Sequence, residues 1–213
     1  MAPTVGALRR IPGLAEVIVV DDGSTDGTAQ EASRAGARVV RLARRAGKAG
    51  AVRAGARLAR GGVILMADAD LGKSAARLDV LCEAVRSGEA DLAVALPVGR
   101  EGAGLGLVRK LAGWGTRWLA GCAPLAPISG QRAFRTDLAP LLLDGPARRF
   151  GVEVQINVLA ARHGLKVLEI PVELSHRTTG WDLAGWAHRG RQFYDVAWTL
   201  WRLAGTPGRE GGR

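Results

Sequence analysis

A chain of 213 residues, 47% hydrophobic and 23% charged, is long enough for one domain with a sizeable core, and its composition excludes a disordered or fibrous protein. The formal net charge of +10, carried almost wholly by arginine, suits anionic partners such as a nucleotide, a lipid phosphate or an acidic membrane surface. The arginines are spread along the chain, so an Arg-biased surface explains the charge equally well, and nothing specific favours nucleic acid.

No apolar stretch approaches the ~18 residues of a membrane span, and the opening residues lack a signal-peptide core. The expected location is therefore cytoplasmic. Cys82 and Cys122 lack metal-type or redox-type spacing and read as small buried hydrophobes.

In chain order, the β-branched run 16–20 predicts a strand that stops at the turn Asp21-Asp22-Gly23-Ser24. A helix over 26–35 follows, with Asp26 placed to cap it. A strand over 37–42, a helix over 48–60 and a strand over 62–67 come next. Ser74 is placed to cap a helix running to Ser87. Further strands are expected over 91–96 and 166–174, and further helices over 104–120, 137–143 and 152–163. Strands alternating with helices predict a doubly wound, mostly parallel α/β sheet, whose ligands bind at the carboxyl ends of the strands. Residues 1–180 form this domain. Residues 181–213 differ: Trp181, Trp186, Trp198, Trp201, Phe193 and Tyr194 crowd there beside Arg189, Arg191 and Arg202. That pattern fits an amphipathic helix lying on a membrane interface, or one packed on the domain.

Two carboxylate clusters fall at strand ends. In Asp68-Ala69-Asp70 the two carboxylates are two residues apart, so an extended backbone points both to one side. Such a pair of hard oxygen ligands suits Mg²⁺ or Mn²⁺, with positions left for phosphate and water. The same triplet also occurs by chance on many surfaces. Asp21 and Asp22 could accept hydrogen bonds from a base or ribose, or the segment is simply a capped turn with Asp26 or Ser24 at an N-cap. The missing distal Glu argues against a calcium loop, and the absence of G-x-G-x-x-G argues against a dinucleotide fold.

In order, VIVVDDGSTDGT, AGKAGAVRAGARLA, ILMADADL, ISGQRAF, FGVEVQINVLA and EIPVELSHR resemble the family 2 glycosyltransferases. The likeness is strongest to the group with the dolichyl-phosphate mannose synthases and glucosyl-phosphoglycerate synthases. The resemblance implies a GT-A fold and metal-dependent transfer of a sugar from a UDP- or GDP-linked donor. A polyprenyl phosphate or other phosphate-bearing acceptor at the inner membrane surface is one implied target. Residue by residue, Asp21, Asp22 and Lys48 would meet the nucleotide, while Asp68 and Asp70 would hold metal and pyrophosphate. Ser129, Gly130, Gln131 and Arg132 would shape the acceptor site, with Arg132 gripping a phosphate by its fork. Glu153 would face the reaction centre as base or orienter, and His176 would complete the metal site. Lys48, Arg132, Glu153 and His176 each also have an ordinary structural reading.

The sequence departs from the family pattern in three places. Gly72 stands where mannose synthases often place Gln, and Ala126 where many relatives place Asp. The family's opening strand is also absent, since residues 1–12 resemble the end of the first helix. That strand is central, between those ending at Asp22 and Asp70, so its absence predicts an open groove in the sheet and a true start upstream. A non-catalytic nucleotide- or partner-binding module derived from a shortened enzyme is the alternative reading.

Overall fold

The computed structural model describes residues 1–98, 106–175 and 183–205. Its elements are α1 (Ala2–Leu8), β1 (Ile18–Asp21), α2 (Thr28–Arg34), β2 (Arg38–Arg41), α3 (Gly47–Ala56) and β3 (Val63–Met66). A 3-10 segment, Gly72–Leu78, then leads into α4 (Asp79–Arg86). After it come β4 (Leu92–Val98), α5 (Gly106–Ala120), β5 (Arg132–Arg135), α6 (Ala139–Leu143), α7 (Val152–Arg162), β6 (Val167–Glu173) and α8 (Leu183–Ala204).

The strands form two sheets. β1 and β2 pair in parallel, and a second sheet has the order β3-β5-β4-β6. Within it β5 runs antiparallel to both β3 and β4, while β4 and β6 are parallel. β3, β4 and β6 therefore share one direction. β1 shares it too. Both β1 and β3 start where the Arg60 N–H bonds Glu16 Oε1, and both end where Lys48 meets Asp68 and Asp22 receives α3. The mostly parallel α/β alternation expected from the sequence is present, and β5 is the strand that runs against it.

A groove expected from the sequence is also present. β1 and β3 share no ladder, and a cleft of about 590 Å³ lies between them. Ile18, Val19, Val20, Val63, Ile64 and Leu65 are only half-buried in consequence. A strand flanked on both faces and edges would bury such residues. The rest of the core is closed. Leu71, Leu78 and Leu81 pack with Ala93 and Ala95, and Phe134, Leu142 and Ile156 pack with Leu92 and Val94. Helices α5, α7 and α8 share a third cluster around Val108, Val158, Val196 and Leu200.

Three local expectations are corrected. β5 was hidden because Arg132–Arg135 lacks apolar alternation; its arginines read as surface residues. Ser74 does not cap a helix: it lies inside the 3-10 segment, its hydroxyl donates to the Leu71 carbonyl at 2.7 Å and accepts from the Ser175 N–H. Cys82 is buried as expected, but Cys122 is exposed.

Candidate active site

The carboxyl ends of β1 and β3 converge on Lys48. Gly47 opens α3 at φ 70°, a left-handed conformation that glycine adopts without strain. That turn aims the Lys48 side chain across the cleft end. Its ammonium lies 2.9 Å from Asp68 Oδ1 and 2.7 Å from Glu153 Oε1. Burial alone would push this amine's pKa down, but the two carboxylates outweigh it and hold it well above the ordinary lysine range. Glu153, in the first turn of α7, is 3% exposed. Lys48 is the cation in ion-pair contact with it.

Asp68 is held from its other side. Gln131 Nε2 donates to Asp68 Oδ2 at 2.6 Å, and Ser129 Oγ donates in turn to Gln131 Oε1 at 3.4 Å. Between them passes Gly130. A Cβ there would sit 2.7 Å from Asp68 Oδ2 and 2.9 Å from Lys48 Nζ, so the backbone's approach depends on the missing side chain. Ser129, Gly130 and Gln131, expected to shape an acceptor site, are thus joined to Asp68.

Arg132 corrects an expectation. Its side chain is fully buried. Its Nε donates to the Ser129 carbonyl at 2.7 Å, its Nη1 to Asn157 Oδ1 at 2.5 Å, and its Nη2 reaches the Pro127 carbonyl at 3.5 Å. Burial pushes the guanidinium down to about 10, with Glu153 and Glu169 partly offsetting it. This arginine braces the 127–131 loop and does not reach an acceptor phosphate.

Asp21 and Asp22 also have protein partners. Asp21 Oδ1 accepts the Ser24 N–H at 2.7 Å, and this bond together with the Ser24 hydroxyl lowers the carboxyl's pKa despite burial. Asp22 accepts the Ala46 and Gly47 N–H groups at 2.5 and 2.7 Å. It ties the end of β1 to the positive end of α3. Asp70 lies exposed on the turn after β3, and His176 lies outside the described residues.

Several participants escaped sequence reasoning. Buried Thr4 accepts the Gly72 N–H and donates to the Ala69 carbonyl, bracing the Asp68–Asp70 turn from α1. Asn157 orients Arg132. Arg149, the one non-glycine residue at positive φ (40°) among the described residues, packs its Cγ 2.5 Å from where a Gly47 Cβ would stand. Arg45 donates to the Gly23 carbonyl at 3.1 Å. The Arg148-Arg149 pair before FGVE was the one available signal. Arg45 and Arg149 give the cleft end a basic rim suited to an anion.

Two hard carboxylates on one turn suit the chemistry of a Mg²⁺ or Mn²⁺ site. Asp68 Oδ1 serves Lys48 and its Oδ2 serves Gln131, and Asp70 stands exposed two residues on. Among the described residues no group of three or more His, Cys, Asp or Glu clusters for metal. A protein share of one or two carboxylates, completed by phosphate and water, is how Mg²⁺ is commonly held.

Known proteins resemble this chain in sequence and in fold. A sequence model described as glycosyl transferase family 2 matches residues 2–124. An undecaprenyl-phosphate mannosyltransferase of Micrococcus luteus is 30% identical across 94% of this chain and 88% of its own length. An uncharacterized glycosyltransferase of Mycobacterium tuberculosis is 32% identical across 86% of this chain and 84% of its own. Among solved structures, the M. tuberculosis glucosyl-3-phosphoglycerate synthase with Mg²⁺ and UDP superposes over 100% of this chain and 77% of that one, with a TM-score of 0.79 at 24% identity. The same enzyme with Mn²⁺, UDP-glucose and phosphoglyceric acid gives a TM-score of 0.76. The fold is that of these enzymes. With the family match extending over more than half of the sequence and the mannosyltransferase likeness running almost end to end, the chain belongs to glycosyl transferase family 2.

Proposed function

We propose that this protein transfers a sugar from a nucleoside-diphosphate donor to an acceptor that carries its own phosphate nucleophile. The observation that carries this reading is the Lys48–Glu153 pair, 2.7 Å apart, with the carboxylate buried. Glu153 is engaged by an ammonium and is poorly placed to take a proton from an acceptor hydroxyl. A phosphate oxyanion needs no such base. It attacks the anomeric carbon as the sugar–diphosphate bond breaks, and the diphosphate leaves with the bonding pair. Lys48 and the basic rim of Arg45 and Arg149 face the negative charge that develops there. The relatives support this class of acceptor: one is named for undecaprenyl phosphate and another is seen with phosphoglyceric acid.

Asp70, with Asp68 beside it, would hold a Mg²⁺ or Mn²⁺ ion. Such an ion supplies charge neutralisation for the leaving diphosphate. The solved relative holds UDP, which favours uridine as the base over guanosine.

A lipid-linked phosphate acceptor is favoured by the outer surface of α5 and α8. Leu107, Trp114 and Trp118 are exposed on α5, and Tyr194 and Trp201 on α8. Trp114 and Trp118 stack with centroids 6.2 Å apart. Exposed Arg109, Lys110 and Arg117 lie on the same helix. Aromatic rings with interleaved cations suit the headgroup region of an anionic bilayer. No helix among the described residues is long and apolar enough to cross one.

The test is thermal unfolding with millimolar UDP or GDP, with and without Mn²⁺, for the native chain and Asp70→Ala. A ligand that binds only the folded state at 100 times its Kd adds about 2.7 kcal/mol, or a rise of roughly 5–10 °C at this size. A metal-dependent rise with UDP that Asp70→Ala abolishes is expected. A rise with UDP that ignores both metal and Asp70 would overturn the metal assignment.

A further inference from the structure

Two energetically unfavourable features meet on one short turn beside the candidate site. Arg149 holds φ at 40°, a left-handed conformation that strains a residue bearing a Cβ. Facing the same turn from α8, Asp195 is only 5% exposed. Its carboxylate accepts the Phe150 N–H, yet its Oδ2 meets no hydrogen-bond donor among the described residues. Burial raises this carboxyl's pKa, against the pull of the Phe150 N–H and of the Arg149 and Arg148 charges. A neutral oxygen would cap that N–H with a smaller burial cost, so capping alone does not account for an acid here.

The turn is fixed from both sides. Ahead of it, the Ala147 N–H donates to Gln155 Oε1 at 2.8 Å and the Ala147 carbonyl accepts from Arg53 at 2.6 Å. Behind it, Gly151 lies so close to α8 that a Cβ would collide with Thr199 Oγ1 and stand 3.0 Å from the Asp195 carbonyl. That carbonyl accepts the Thr199 hydroxyl at 2.7 Å. Between these anchors the two arginines part. Arg148 lays its guanidinium over the Trp198 ring, 4.8 Å from the centroid. Arg149 leans instead on Gly47, with its Cα 3.4 Å from where a Cβ of that glycine would stand. Gly47 opens the helix that carries Lys48, and Lys48 meets Glu153 two residues beyond the turn.

We propose that Asp195 is a positioning residue for the donor diphosphate: from α8 it holds the Arg148–Gly151 turn in its strained form and so presents Arg149 beside Gly47 and Lys48. Arg149 is the group that touches the diphosphate, and Asp195 acts through it. Helix α8 is then a wall of the site and not an appendage to the domain. This role rests on the diphosphate-donor reading, and it carries a diagnostic sign. By charge alone, removing an acid near an anion site tightens anion binding. Removing an acid that positions the cation loosens it.

Isothermal titration in the presence of Mn²⁺ measures the affinity of the full chain for UDP, GDP and pyrophosphate, with melting temperatures recorded so that every chain is titrated while folded. The variants are Asp195→Asn and Asp195→Ser, both able to accept the Phe150 N–H, Arg149→Gly, which suits the positive φ, Arg149→Gly with Asp195→Asn, and Arg148→Gln. Each Asp195 variant and Arg149→Gly should weaken the bound nucleoside diphosphate and pyrophosphate about tenfold, the scale of one charge-assisted contact. The double variant should bind no more weakly than Arg149→Gly alone, because the acid acts through the arginine. Arg148→Gln should change affinity less than about twofold, since that guanidinium is engaged by Trp198. Unchanged or tighter binding in both Asp195 variants overturns the proposal. So do native-like binding by Arg149→Gly, additive losses in the double variant, or an equal loss in Arg148→Gln. Pyrophosphate binding that needs Arg149 and Asp195, without binding of UDP or GDP, would leave the positioned arginine standing and sink the nucleoside donor. A native chain that binds none of the three would sink both.

Discussion

Lys48 is the residue on which the site's electrostatics turn. One ammonium balances Asp68 and Glu153, and Glu153 is almost fully enclosed. Removing one partner of a buried pair leaves the other charge uncompensated, so Lys48→Met is expected to destabilise the fold by about 3 kcal/mol. Adding Glu153→Gln should recover a good part of that stability and none of the activity. Urea unfolding and turnover of the same variants separate the two effects. The pH dependence has a definite sign. The folded pKa of Lys48 lies above its ordinary value of 10.5, so its contribution is complete below that value and is lost as pH rises through the raised folded pKa. The native chain should therefore lose stability in strong alkali more steeply than Lys48→Met. Gly130 makes a separate prediction. Gly130→Ala puts a methyl 2.7 Å from Asp68 and 2.9 Å from Lys48, so the pair must part. The variant should remain folded by circular dichroism and lose at least about tenfold in kcat/KM, each tenfold being ~1.4 kcal/mol. Full activity would show that the Lys48–Asp68 contact is dispensable.

Among the elements, α5 and α8 have two different faces. Their inner faces interlock. Gly115 of α5 lies so near Leu200 of α8 that a Cβ would stand 2.3 Å from its Cδ1, and Val196 and Leu203 complete the contact. The outer faces carry the exposed aromatic rings. The sequence displayed the crowd of aromatics in its last thirty or so residues, and α8 indeed presents Tyr194 and Trp201 outward. It did not display that Trp114 and Trp118, one turn apart on α5, would stack on the same kind of surface. The α5 periodicity was legible, but which side of it met α8 depended on a contact distant in sequence. If this surface meets a membrane, Trp114→Ser with Trp118→Ser should leave the melting temperature nearly unchanged, because both side chains are exposed. It should also cut flotation with vesicles of anionic lipid at low salt. Equal flotation of native and variant chains would remove α5 from any membrane contact.

For the molecule as a whole, what the sequence made legible was local. Strand ends at Asp21 and Met66 and the turn at Gly47 all follow from short runs of residues. What stayed hidden were long-range choices. Arg132 looked like a surface residue available to a phosphate, and only the closing of β5 beside α7 buries it against Asn157. Thr4 looked like nothing, yet it braces the Asp68–Asp70 turn from the far end of the chain. The open cleft makes such links matter, because no ladder joins the sheet of β1 and β2 to the sheet of β3 to β6. Besides Thr4, Lys48 and the bonds of Arg60 N–H to Glu16 and of Arg86 to the Pro12 carbonyl, a polar tie comes from Arg53 of α3, whose Nε donates to the Leu143 carbonyl at 2.8 Å and whose Nη2 donates to those of Gly145 and Ala147 at 3.2 and 2.6 Å. Regions with fewer buried contacts open at lower free energy than the core they rest on. Amides of β1 and β2 should accordingly exchange faster than those of β4 and β6. Arg53→Met keeps the stem and removes the three bonds, so it should speed exchange in β1 and β2 well beyond any change in β4 and β6. A uniform acceleration across both sheets would mean that the halves unfold as one unit and that side-chain packing around Ala49 and Met66, rather than hydrogen bonding across the gap, couples them.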